Sequence, residues 1–147
     1  EIITAIDEEK IVRVILILLS NSIKFSKEKG DICVEMRRED EEVVIKVTDN
    51  GIGINEDMKE KIFDKFKRVQ SVSNLNVDHE GSGLGLYIAK GFIELHNGSI
   101  SVVSEVEKGS TFIITIPIVI IKNGLHNINH MDEDELNRII KIELSDL

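Results

Sequence analysis

From Ile11 the chain carries the apolar run IVRVILILL, broken once by Arg13 and followed by Ser20, Asn21, Ser22 and Lys24. This pattern predicts a helix from Asp7 to about Phe25, buried on most of its sides. Asp7 is placed to cap it, with Glu8 and Glu9 in the first turn, where carboxylates suit the helix dipole. The period then changes. ICVEMRRE alternates, and EEVVIKVTD answers it across a charged turn, the signature of a β-hairpin. Residues 56–65, preceded by Asn55, predict a short amphipathic helix. Residues 67–82 are polar and show no period, so a mobile loop is expected. GLGLYIAKGFIELH predicts a second helix, closed by Asn97 and Gly98, and two strands follow in SISVVSEV and STFIITIPI, joined by EKG. Residues 1–5 read as a short strand, and the tail as an acidic helix start, MDEDELNRI, followed by IKIEL. No internal repeat is present. The order of elements points to an α+β two-layer sandwich, a mixed, mostly antiparallel sheet with helices on one face.

A chain of 147 residues is one domain with enough length for a hydrophobic core, and its 41% hydrophobic and 31% charged residues mark it as ordered and globular. The net charge of -9 argues against a nucleic-acid partner, which would require a basic face. A nucleotide remains compatible, because backbone N–H groups and a few local cations can hold a phosphate on an acidic protein. Cys33 is the single cysteine, which rules out a disulfide framework and fits a reducing compartment. The longest apolar run, FIITIPIVII, is too short to span a bilayer, and no signal peptide is visible. The chain opens on Glu1 without a methionine, from which a segment of a longer protein is expected.

Candidate chemistry lies at the breaks in the pattern. Strand EEVVIKV ends in Thr48 and Asp49, then Asn50, Gly51, Ile52, Gly53 and Ile54. A carboxylate at a buried strand end must be hydrogen-bonded, and it can accept from the exocyclic amine of adenine. Gly51 and Gly53 let the backbone turn and let a planar ligand approach, with the isoleucines as apolar walls. An ordinary Asn–Gly turn explains the same residues. GSGLGL, residues 81–86, opens a helix whose first N–H groups can bind an anion. It is not a dinucleotide fingerprint, since position 86 is leucine and no strand precedes it, and a flexible hinge is the competing explanation. Asn21 and Lys24 share one face of the first helix. They could offer an oxygen to Mg²⁺ and a charge to phosphate, or equally a local cap and a cation reaching for water.

Taken in order, LLSNSIKFS, DNGIGI, IFDKF and GSGLGL resemble the asparagine box, first glycine box, phenylalanine box and second glycine box of the catalytic ATP-binding domain of bacterial sensor histidine kinases. LHNGSISVVSE and KGSTFIITIP resemble the family's closing strands, so the likeness covers about residues 7–118. The resemblance implies a left-handed βαβ ATP sandwich, the Bergerat fold, with ATP and Mg²⁺ as cofactors. It implies that Asp49 binds the adenine amine, that Gly51, Gly53 and Ile54 shape the adenine pocket, and that Asn21 holds Mg²⁺. Lys24 and Arg68 are placed near the phosphates, and Asn21 and Lys24 carry the catalytic role. Phe25, Phe66, Ser82 and Thr111 join the nucleotide-binding set, residues 67–82 become the ATP lid, and Gly81, Gly83, Leu84, Gly85 and Leu86 its phosphate-facing hinge. The implied partners are an upstream dimerisation and histidine phosphotransfer domain of the same protein and a response regulator receiver domain. The implied location is cytoplasmic, without direct membrane contact by this domain.

Two departures stand out. Where the family usually has a second asparagine, four residues before Asn21, this chain has Ile17. Hydrolysing relatives use a glutamate there as general base, and isoleucine can neither take a proton nor orient water. The acceptor histidine is also absent: His79 falls in the lid, His96 in a turn, and His126 and His130 in the tail. On this reading residues 1–121 form the catalytic domain and residues 122–147 an extension with a solvated helix face. The alternatives are a degenerate nucleotide-binding regulatory module without phosphotransfer, or another ATPase or serine kinase of the same superfamily.

Overall fold

The computed structural model describes residues 6–65 and 83–119. Helix α1 spans Glu8–Phe25, and Asp7 caps it as the sequence predicts, its carboxylate accepting from the Lys10 N–H at 3.1 Å. Ile11, Val14, Leu18 and Ser22 recur at three- and four-residue spacing and form its most deeply buried stripe, with Leu16 and Ile17 buried beside it. Strand β1, Ile32–Glu39, pairs antiparallel with β2, Glu42–Asp49, as the predicted hairpin. Strands β3, Ser99–Glu105, and β4, Gly109–Pro117, form a second hairpin. It joins the first through β4 beside β2, so the described sheet is antiparallel throughout, in the order β1-β2-β4-β3. The connection between the two hairpins runs through helix α2, Gly85–Leu95.

The strand period of two sets the faces. Val43, Ile45 and Val47 of β2 stand beside Ile116, Ile114 and Phe112 of β4, and all six pack into one core with α1 and with Ala89 and Ile93 of α2. Both helices thus cover the same side of the sheet. β1 differs. On that side Ile32 packs against the core, but Val34 and Met36, which face Val47 and Ile45, remain exposed, Met36 at 64%.

Residues 56–65 correct the sequence reading. They form two single turns of 3-10 helix, Glu56–Met58 and Lys61–Phe63, and Asn55 makes no side-chain cap. Ile62 and Phe63, adjacent in sequence, are both buried, and Phe63 meets Phe112 edge-on at 6.5 Å between ring centroids. Placing neighbours side by side in the core overrides a marginal ten-residue amphipathic pattern, since so short a helix has little stability of its own. α2 ends as predicted: Asn97 takes a φ of 55° and the Gly98 N–H donates to Ile93 O at 3.0 Å. The strand expected at 1–5, the lid at 67–82 and the tail at 122–147 lie outside the described residues.

Candidate functional site

Asp49 closes β2 with its side chain on the core face, 6% exposed. Burying a carboxylate is costly unless donors surround it, and three do. The Gly51 N–H donates to Oδ1 at 2.9 Å, the Ser110 N–H donates to the same oxygen at 3.2 Å, and the Ser22 hydroxyl donates to Oδ2 at 3.3 Å. The acid is therefore held by α1, by its own loop and by β4.

The loop after Asp49 is fastened to α1 and to the β3–β4 hairpin. Ile52 N–H donates to Phe25 O at 3.1 Å, and Ile52 O accepts from Glu107 N–H at 2.8 Å. Ile54 N–H donates to Ser104 Oγ at 2.8 Å; that hydroxyl donates to Gly109 O and lies 3.0 Å from Ser110 Oγ. Lys27 ties the end of α1 to the β3–β4 turn through Glu107 O, at 2.6 Å, and the Glu107 carboxylate. Gly53 has a φ of 70°, and a Cβ there would stand 2.1 Å from Glu105 O; at Gly51 it would stand 2.2 Å from Phe25 O. The space these glycines leave is thus filled by the protein's own backbone. That refines the sequence argument, which assigned the space to a planar ligand.

The last turns of α1 carry Asn21, Lys24 and Phe25, all half-buried. Lys24 Nζ lies 5.9 Å from the centroid of the Phe25 ring, within cation–π range. Among the described residues, the Asn21 side chain makes no hydrogen bond. Ile17, one turn earlier on the same face, is buried and lies against the start of α2, its methyl 3.1 Å from where a Gly85 Cβ would stand. The beginning of α2 therefore abuts the Ile17 and Asn21 face. Gly83 takes a φ of 69°, and Leu84 provides no side-chain cap for α2, while Leu86 packs against the core.

Thr111 does not join this set. It pairs with Thr48, hydroxyl to hydroxyl at 3.1 Å, on the sheet face away from Asp49. The β4 residue at the acid is its neighbour Ser110, because alternate strand residues face opposite ways. Sequence reasoning also missed Ser22 and Ser104; the available signal was a serine inside a helix stripe otherwise made of isoleucine, valine and leucine. Phe66, Arg68, Gly81 and Ser82 lie outside the described residues. His96 is structural: its Nε2 accepts from the Asp7 N–H at 2.9 Å, and its Nδ1 is 2.7 Å from Phe92 O.

A set of three or more metal-binding carboxylates, thiols or imidazoles is absent among the described residues. Mg²⁺ is compatible with this, since it keeps several waters and takes few protein oxygens when phosphates supply the rest. The Asn21 amide oxygen is the group on the α1 face able to provide one.

Residues 6–120 match the family described as histidine kinase-, DNA gyrase B-, and HSP90-like ATPase. The circadian input-output histidine kinase CikA of Synechococcus elongatus is 35% identical over 111 residues, covering 76% of this chain and 14% of that protein. The sensor protein RprX of Bacteroides fragilis is 40% identical over 115 residues, covering 77% of this chain and 22% of its own length. The chain thus spans less than a quarter of these relatives. Among solved structures, the nucleotide-free catalytic domain of histidine kinase ThkA superposes with a TM-score of 0.66 at 31% identity, over 78% of this chain and 70% of that one. Full-length ShkA in complex with AMPPNP superposes with a TM-score of 0.65 at 27% identity, over 81% of this chain and 24% of that one.

Proposed function

We propose a function from one premise: this chain belongs to the histidine kinase-, DNA gyrase B-, and HSP90-like ATPase family, and within it to the catalytic domains of sensor histidine kinases. It binds ATP and presents the γ-phosphate to a histidine on a dimerisation domain of the same protein, from which a response regulator receiver domain takes it. The observation that carries this is the Asp49 carboxylate, buried at a strand end with three donors on it and one oxygen still able to accept. The complex of ShkA with AMPPNP supports nucleotide binding on this fold.

Asp49 accepts from the adenine amine, and the Gly51–Ile54 loop forms the wall beside it. Asn21, Lys24 and the start of α2, where Leu84 offers no side-chain cap, are assigned to the phosphates, where amide and ammonium donors stabilise developing charge. Mg²⁺, when bound through Asn21, neutralises phosphate charge. Phosphoryl transfer depends on positioning more than on covalent chemistry by the domain, so a histidine that brings its own nucleophile needs no general base here. Ile17 fits this: buried against α2, it can activate no water. Ile17 also favours the second reading, a nucleotide-binding regulatory module without transfer.

Titration of Mg-ATP into the chain by calorimetry is expected to show one binding event, lost in Asp49→Asn. Absence of uptake at millimolar nucleotide defeats the proposal. A histidine-bearing helical hairpin supplied in trans should then become phosphorylated; binding without transfer selects the regulatory module. Ile17→Asn is expected to raise the transfer rate, and an unchanged rate makes the position idle.

A further inference from the structure

We infer that Ser22 is a specificity-determining positioning residue for the base. Its hydroxyl fixes the Asp49 carboxylate so that a single acceptor position is left for the purine edge. The inference rests on the reading of Asp49 as the adenine acceptor and deepens it.

A carboxylate offers about four acceptor positions, two on each oxygen. Gly51 and Ser110 N–H groups occupy Oδ1, and the Ser22 hydroxyl occupies one position of Oδ2. One remains. A purine with an amine at carbon six places one N–H against such an edge. Guanine presents a ring N–H and an amine side by side, which require both oxygens of a carboxylate at once, and Oδ1 is already taken.

Ser22 is suited to this task by its surroundings. It is 1% exposed and sits in the buried stripe with Val14 and Leu18. A hydroxyl buried without a partner is unfavourable, and alanine is the better helix former at such a place. Within a helix a serine hydroxyl commonly turns back to the carbonyl four residues earlier. This one instead reaches Asp49, 27 residues away in sequence. The hydrogen bond enters Oδ2, the oxygen that has the open position, so its loss releases the one carboxylate oxygen assigned to the base while Oδ1 stays held by Gly51 and Ser110.

The alternative is a plain tie between α1 and β2, and a thermodynamic cycle separates the two. Binding of ATP and of purine riboside 5′-triphosphate, which has hydrogen in place of the amine, is measured by calorimetry on the full chain and on Ser22→Ala. The intact chain should prefer ATP by about tenfold, the worth of one good hydrogen bond to a charged group. Ser22→Ala should shrink that preference to about threefold or less, while its affinity for the amine-free nucleotide stays within about twofold of the parent. Ser22→Cys, close in volume but a weak donor, should fall between them and carries the cycle should the alanine variant fail to fold. An equal loss on both nucleotides, or an unchanged preference, makes Ser22 a structural tie and overturns the inference alone. An intact chain that binds both nucleotides equally overturns the reading of Asp49 and the inference together.

Discussion

The two glycine clusters look alike in sequence, glycines alternating with isoleucine or leucine, yet the structure uses them differently. At Gly51 and Gly53 a side chain would run into main-chain carbonyl oxygens, Phe25 O and Glu105 O, at 2.2 and 2.1 Å. Among the described residues, the one obstacle at Gly85, the last glycine of the second cluster, is a methyl of Ile17 at 3.1 Å, and at Gly91, farther along α2, there is none within 4 Å. Backbone cannot yield without moving a strand, whereas a methyl can rotate or shift by a fraction of an ångström. The first cluster is a fixed socket built from three chain segments. The second ends on a surface with slack.

That contrast can be broken or sharpened by alanine. The largest effect is expected at Gly53→Ala, where a positive φ and a carbonyl contact act together: a loss of about 3 kcal/mol or more in chemical unfolding, with nucleotide binding lost as well. Gly51→Ala should follow at about 2–3 kcal/mol, because its contacts are equally close but its φ is not in the left-handed region. Gly91→Ala should change sign and raise stability by about 0.5–1 kcal/mol, since only helix propensity is at stake. Gly85→Ala should lie within about 0.5 kcal/mol of the parent, propensity gained against the Ile17 contact, and pairing it with Ile17→Val should move the sum upward. A drop of several kcal/mol at Gly85 would give both clusters the same rigidity and end the comparison. The smallest effect belongs to the far end of α1. The Lys10 side chain, with its backbone N–H, lowers the Asp7 pKa below its ordinary value of 3.8. A carboxyl lowered on folding stabilises above its unfolded pKa, and that contribution fades as pH falls through the folded value. Asp7→Asn should therefore flatten the acid side of a melting-temperature profile and leave neutral nucleotide binding unchanged.

Much of this fold can be read from periodicity. α1, both hairpins and α2 carry long, clear patterns, and their ends have physical markers in Asp7 and in Asn97 with Gly98. Residues 56–65 failed as a prediction because burial of adjacent Ile62 and Phe63 decides their shape, and that demand comes from Phe112, far along the chain. The site divided similarly. Asp49 was visible as an ionisable group where an apolar strand stops. The groups that hold it were not, since Ser22 and Ser110 reach it across 27 and 61 residues, and a serine carries no pattern of its own. Thr111 stands on the other sheet face from Asp49, a difference of one residue along the strand that the sequence does not register.

Asp49 is bound to three separate parts of its own chain, so it acts as a rivet apart from any ligand. A descendant that had abandoned nucleotides would still be under pressure to retain an acid at this place, because removing it strands the Gly51 and Ser110 amides and the Ser22 hydroxyl without their shared acceptor. The aspartate would then outlast the nucleotide binding proposed for it. Among relatives of this chain, the sharper mark of a working pocket is whether that acid still has an oxygen to spare.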